Sequence, residues 1–159
     1  MLFMTSSYTN IKNKKAYHEY KLFDRYEAGI ELLGSEVKSI RQGKVSFSEG
    51  WVEVTDNLEL LLRQVYIGPY GFSNIDRHEE KRPRRLLLKK KEIIKINNSI
   101  FSKGMTVIPL RFYSKRSLIK LEIALAQGKK LYDKRESSKK KDDQKAIAQA
   151  MKKRIRDVS

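Results

Sequence analysis

The sequence predicts a mainly β fold, a small antiparallel barrel or sandwich with two or three short helices. Three observations predict it. Met105 to Ser114 and Leu118 to Ala126 are long apolar runs separated only by Lys115-Arg116-Ser117. In the second run Ile119, Leu121, Ile123 and Leu125 alternate with Lys120 and Glu122, the period-two pattern of a half-buried strand. Short apolar runs bounded by turn residues recur along the chain up to Ala126, after which the composition changes to a basic tail.

Met1 to Lys12 is polar and irregular and is expected to be a disordered lead-in. From Tyr17 to Phe23 the alternation of His18, Tyr20 and Leu22 with Glu19 and Lys21 reads as a strand. After Gly34, Val37 and Ile40 fall at helical spacing and Gly43 closes the segment, giving a short helix over Ser35–Gln42 with Ser35 as N-cap. Trp51 to Thr55 alternates again. Asp56-Asn57 is turn chemistry, and Leu58 to Tyr66 reads as the returning strand. Gly68-Pro69-Tyr70-Gly71 breaks the chain, and Ser73 to Arg85 is a polar loop. Ile93, Ile94, Ile96 and Ile100 suggest a helix from Lys89 to Phe101 that ends near Gly104. Pro109 cannot donate to a strand ladder, so it belongs at an edge or a bulge. An OB-like barrel is compatible with this pattern, as are other small barrels.

Charge points to the partner. Of 159 residues, 35 are Lys or Arg and 19 are Asp or Glu, a net of +16. Lys129 to Ser159 holds 12 of the basic and 5 of the acidic residues, a net of +7, which leaves +9 on residues 1–128. Domain and tail are therefore both attracted to polyanions. The tail has one aromatic residue, Tyr132, and too little apolar surface to offset its ordering entropy, so it is expected to be unfolded when free. Ile147, Ala150, Met151 and Ile155 nevertheless share one helical face, and a helix that forms on a polyanionic partner is expected. The tail lacks Trp and Phe on that stripe, which argues against membrane binding.

There is no cysteine, no apolar run of membrane-spanning length and no leader-like start, so a cytoplasmic location is expected. His18 and His78 lie far apart in sequence. His18 is expected to be structural or RNA-facing and His78 a solvated loop residue, and no metal or other cofactor is expected. No phosphate cradle, nucleophile elbow or paired-carboxylate motif occurs, which argues against an enzyme and against a small-molecule substrate. Basic groups cluster instead: Lys12, Lys14 and Lys15; Lys38, Arg41 and Lys44; Arg82, Arg84 and Arg85; Lys89, Lys90 and Lys91. Tyr17, Tyr20, Trp51 and Tyr70 lie among them. Taken alone these rings favour core packing, and with the cations they suit a nucleic-acid surface.

Five stretches add a more specific indication. They are Asn13-Lys14-Lys15-Ala16-Tyr17-His18-Glu19-Tyr20, Tyr26-Glu27-Ala28-Gly29-Ile30, Gly34-Ser35-Glu36-Val37-Lys38-Ser39-Ile40-Arg41, Arg82-Pro83-Arg84-Arg85-Leu86-Leu87-Leu88 and Gly128-Lys129-Lys130-Leu131-Tyr132-Asp133-Lys134-Arg135-Glu136. In order and spacing they resemble the SsrA-binding protein family, also called small protein B. The resemblance implies an OB-like barrel over residues 13–128 and a ribosome-binding tail over 129–159. It implies a non-catalytic adaptor that binds the tRNA-like domain of transfer-messenger RNA and delivers it to stalled ribosomes for trans-translation; a monomer is expected. The tail would pass the decoding centre into the empty mRNA channel and become helical there.

Residue by residue, the resemblance implies an RNA face of Asn13, Tyr20, Glu27, Leu87 and Lys120. The basic clusters add Lys14, Lys15, Lys38 and Arg41. For the tail it implies Lys129, Lys130, Tyr132, Asp133, Lys134, Arg135 and Met151, with Gly128 as hinge. The larger aliphatic that often precedes Met151's position in the family is Ala150 here, and Ile147 or Ile155 would take its part. Without the resemblance, Leu87 reads as core and Glu27 as an ordinary strand-end carboxylate. The alternatives left by composition are a structural ribosomal protein and a general RNA-binding protein.

Overall fold

The computed structural model describes residues 9–71 and 78–129. Among them the elements run β1 (Asn10–Lys12), α1 (Lys14–Glu19), β2 (Tyr20–Ile30), α2 (Gly34–Arg41), β3 (Val45–Ser46), β4 (Trp51–Val54), β5 (Leu60–Arg63), β6 (Tyr66–Ile67), β7 (Arg84–Leu87), α3 (Lys90–Lys103), β8 (Thr106–Lys115) and β9 (Leu118–Gly128). Seven strands form one antiparallel sheet in the order β1-β8-β9-β2-β7-β5-β4, and β3 pairs with β6 apart from it. The sheet curls until β4 lies against β8. At that seam, beside α3, Trp51 to Val54 face Met105 to Val107 across a groove of about 190 Å³. This is the expected small OB-like barrel.

The long hairpin is the spine, as its alternation predicts. Ile119, Leu121, Ile123 and Leu125 point into the core with Val107, Phe112, Leu60, Leu62 and Leu86. Phe47 stacks on Phe112 with ring centroids 5.4 Å apart. Each such fully buried side chain contributes roughly 1.5–3 kcal/mol relative to exposure. Pro109 sits at a register shift between Pro109 and Arg111, the bulge expected of it. The bulge reverses the facing of β8. Val107 points inward before it, whereas after it Phe112 points inward and Arg111, Tyr113 and Lys115 share the outer face.

The beginning of the chain departs from expectation. Asn10–Lys12, expected within a disordered lead-in, is the edge strand beside β8. Lys14–Glu19 is a helix, and the strand expected from Tyr17 starts only at Tyr20. Asn13 decides this local outcome. It is 7% exposed, its Oδ1 accepts from the Ala16 N–H at 3.3 Å, and its Nδ2 donates to the Pro109 carbonyl at 2.8 Å. The helix then lays Ala16 on Ile108, Leu110, Ala124 and Ala126, so the upper part of the outer sheet face is also dry.

α2 begins at Gly34, with Leu33 rather than Ser35 as the N-cap. Glu36 accepts from the Leu33 N–H at 2.8 Å, and Ser35 instead bonds His78 Nδ1 at 2.8 Å. His78, expected to be solvated, is only 6% exposed. Its Nε2 donates to the Ile67 carbonyl at 2.8 Å, which leaves Nδ1 to accept from the Ser35 hydroxyl. The returning strand is shorter than expected because Gln64, at φ 61°, separates β5 from β6. α3 ends at Gly104, which takes the left-handed conformation at φ 64°.

A buried ion cluster ties these pieces together. Glu36 and Arg84 are both 0% exposed, and Arg84 Nε donates to Glu36 Oε2 at 2.5 Å. Arg82 Nη2 donates to Glu36 Oε1, also at 2.5 Å. The remaining Arg84 donors reach the carbonyls of Val65 at 2.9 Å and Glu80 at 3.0 Å. Arg84 is thus withdrawn from the cationic surface on which sequence clustering placed it. Burial alone would push the Glu36 carboxyl up. Donation from Arg82, the Leu33 N–H and Arg84 outweighs it and holds the group below its ordinary value of 4.5.

A carboxyl depressed on folding contributes its stability in full above its unfolded pKa and loses it as pH falls toward the folded value. The protein's stability to urea should therefore fall as pH drops below the unfolded value of 4.5 toward the lower folded value. Glu36→Gln should lower the unfolding free energy near neutral pH by roughly 3–5 kcal/mol, because it leaves Arg84 buried without its counter-charge. The variant should also show a flatter acid slope; equal slopes in both proteins would remove Glu36 as the cause.

Candidate nucleic-acid interface

Strand register builds an open face on the outer surface of β7, β2, β9, β8 and β1. One cross-strand row runs Leu87, Gly29, Lys120, Tyr113, Asn10. The next runs Glu27, Glu122, Arg111, Lys12. The face is bounded on one side by α1, where Tyr17 meets the Arg25 guanidinium 5.6 Å from the ring centroid. At the other side is the β8–β9 turn, where Arg41 Nη2 donates to the Ser117 carbonyl at 3.3 Å.

Of the residues expected to bind RNA, Glu27, Leu87 and Lys120 come together on this floor. Leu87 is 48% exposed, whereas its neighbour Leu86 is 2% exposed, so the reading of Leu87 as core does not hold. Its side chain lies over Gly29. A Cβ there would meet Leu87 Cβ at 3.3 Å, so glycine lets the leucine lie flat on the sheet. Lys14 and Lys15 are exposed on the α1 ridge, and Arg41 is exposed at the far rim. Lys38 is exposed on α2 and holds its ammonium 5.2 Å over the Tyr70 ring.

Asn13 and Tyr20 stand differently. The Asn13 amide is engaged at both ends by the protein itself, so it positions α1 instead of presenting a polar edge. Tyr20 is half-buried at the end of α1 against the dry alanine cluster. Tyr17, Trp51 and Tyr70 are exposed, against the expectation of core packing for isolated rings. Gly128, expected as a hinge, pairs with Tyr20 at the end of β9. Lys129 is exposed just beyond it; Lys130, Tyr132, Asp133, Lys134, Arg135 and Met151 lie outside the described residues.

Electrostatics explain why two carboxylates can face each other on this floor. Glu27 and Glu122 are direct cross-strand partners, an arrangement that repels unless compensated. Arg25 and Arg111 approach Glu122 at 3.8 and 3.6 Å. Lys115 Nζ donates to both Glu27 oxygens, at 3.1 and 3.3 Å, and the Tyr113 hydroxyl donates to Glu27 Oε2. The Tyr113 bond, then Lys115, hold the Glu27 carboxyl below its ordinary value. Burial, then the bond to Glu27, push the Tyr113 phenol up. Arg111 covers the phenol ring at 4.2 Å from its centroid. Sequence reasoning missed Tyr113, Arg111 and Lys115. Their shared parity was a usable signal, but only with the Pro109 bulge placed between them and Val107.

Such a face, cationic, with an exposed aliphatic platform and carboxylates held by neighbouring cations on an OB-like barrel, defines the class of small β-barrel proteins that engage nucleic acid. A protein-family profile described as SmpB protein matches residues 10–153. An SsrA-binding protein of Pelobacter propionicus is 47% identical over 145 residues, covering 91% of this chain and 95% of the relative. One of Geotalea uraniireducens is 49% identical over 144 residues, with coverage of 91% and 95%. A solved structure described as "tmRNA-SmpB: a journey to the center of the bacterial ribosome" matches with a TM-score of 0.66 and 36% identity, covering 89% of this chain and 96% of that one. The chain belongs to the SmpB protein family.

The contrast between the two leucines is testable. Leu86→Ala should cost roughly 2–5 kcal/mol in urea unfolding by opening a cavity. Leu87→Ala should stay within about 0.5–1 kcal/mol of the parent, because its side chain is half in water already. Only the second variant should lose RNA affinity at unchanged stability, measured by filter binding alongside the unfolding curves.

Proposed function

We propose that the chain is an RNA-binding adaptor that takes the tRNA-like domain of transfer-messenger RNA to stalled ribosomes, so that the nascent peptide is tagged and the ribosome released. The single observation that carries this reading is family membership over nearly the whole barrel and into the tail, together with relatives named for binding SsrA RNA. The solved relative, described with tmRNA at the centre of the bacterial ribosome, supports the second partner. The protein acts by binding, without catalysing a step, and works in the cytoplasm. Among the described residues no group of three or more His, Asp or Glu is placed to hold a metal, and no helix is long and apolar enough to cross a membrane.

The proposed division of roles is supported, for the barrel, by the open face described above and, for the tail, by the family resemblance. Leu87 offers an apolar platform for a base or ribose, Lys120 a phosphate contact, and Glu27 an acceptor. Lys14, Lys15, Lys38 and Arg41 supply the surrounding cationic field, while Asn13 and Tyr20 hold α1 in place. Residues 129–159 carry the ribosome-dependent part: Lys129 and Lys130 in the ribosome-binding tail, Tyr132, Asp133, Lys134 and Arg135 at the decoding centre, and Met151 with Ile147 or Ile155 in the mRNA channel.

A chain truncated after Lys130 should bind the tRNA-like RNA with nearly full affinity and fail to support peptide tagging in a reconstituted translation system. Loss of RNA binding in that truncation would overturn the division. Binding by the barrel should also weaken steeply with salt, log K falling by roughly 0.9 per phosphate neutralised against log salt concentration.

A further inference from the structure

Glu27 is an oddity on a surface built to meet phosphate. A free carboxylate there would repel the RNA backbone, yet the fold spends three side chains on keeping it ionised and still. Tyr113 donates its hydroxyl to Glu27 Oε2, and Lys115 bridges both oxygens at 3.1 and 3.3 Å. Arg111 lies over the Tyr113 ring at 4.2 Å, which fixes the plane from which the hydroxyl points. Around this group stand Arg25 on the same strand, Lys120 and Glu122 on β9, and Leu87 across Gly29 on β7. A carboxylate held by two donors still has acceptor sites left, because its two oxygens offer about four lone-pair directions.

We infer that Tyr113 is a positioning residue which, with Lys115, fixes Glu27 as an oriented acceptor, so that the RNA group taken at this point is a hydrogen-bond donor, a base N–H or a 2′-hydroxyl, and not a phosphate. The inference rests on the RNA-binding function proposed above and adds the chemical identity of the group met by one residue. It divides the face into two kinds of contact. Lys120 and the ridge lysines neutralise backbone and carry the salt dependence. Glu27 selects, since a carboxylate accepts from donors and rejects phosphate and unprotonated base edges alike.

The test is binding of the full chain to a transcript of the tRNA-like part of transfer-messenger RNA, for the parent, Tyr113→Phe, Glu27→Gln, the double variant and Lys120→Ala. Phenylalanine keeps the ring under Arg111 and removes only the hydroxyl that donates to Glu27. Tyr113→Phe should weaken binding about tenfold near neutral pH, the size expected for a hydrogen bond to a charged group. That penalty should vanish in the Glu27→Gln background. Without the phenol, Glu27 protonates more readily, so the acid loss of binding should begin at a higher pH than in the parent. Tyr113→Phe and Glu27→Gln should leave the salt slope unchanged, whereas Lys120→Ala should reduce it by about one.

An unchanged affinity for Tyr113→Phe, or the same penalty with and without Glu27, would overturn the inference while leaving the adaptor function standing. Tighter binding by Glu27→Gln would also overturn it, because it would place a phosphate at the carboxylate. A parent chain that fails to bind the transcript would defeat the function itself.

Discussion

Glu36 must keep a negative charge where no water reaches it, and much of the rest of the barrel is arranged around that demand. Three donors from two stretches answer it. Leu33 supplies a backbone N–H, the strand after the polar loop supplies Arg84, and the residue two before it supplies Arg82. Arg84 in turn spends its remaining donors on the carbonyls of Val65 and Glu80. One carboxylate thereby joins α2, the end of β5, and the approach to β7. Because burying ions is costly unless every lone pair and proton is matched, this junction tolerates one geometry. It sets the start of β7, and β7 sets where Leu87 emerges beside Gly29.

A second constraint acts on the other end of the sheet. Asn13 joins a helix start to the β8 bulge, so the ridge bearing Lys14 and Lys15 and the strand bearing Arg111, Tyr113 and Lys115 are tied at one point. The polar frame is buried, and it sets where the charged groups of the open face stand. This explains how a residue that the family resemblance places on the RNA face can be 7% exposed and still matter to that face.

The parts of the fold that could be read from sequence are those with long, regular patterns. The Met105–Ala126 hairpin declares its inward face through four residues at period two, and the isoleucines of α3 do the same at helical spacing. β1 was hidden because three residues carry no period, and α1 because Tyr17 and Tyr20 suit a strand as well as a helix. Arg84 and Glu36 were hidden for a different reason. A charged side chain reads as surface unless its buried partner is known, and that partner is 48 residues away. The site was partly legible. The outward facing of Lys120 and Glu122 follows from alternation, while the selection of Glu27, Leu87 and Lys120 depended on the family resemblance. Tyr113 stayed unseen because a bulge resets parity without changing composition.

The small side chains under α1 have a mechanical meaning. Ala124 and Ala126, beside Ile108 and Leu110, form the floor on which Ala16 rests, so half of that floor is alanine. The small size of Ala16, Ala124 and Ala126 lets the helix lie close to the sheet. A valine at either floor position would act as a shim, tilting the helix and lifting its lysines away from the plane of Glu27 and Lys120. The distance between the lysine ridge and the open face is thus set by apolar residues that carry no charge themselves.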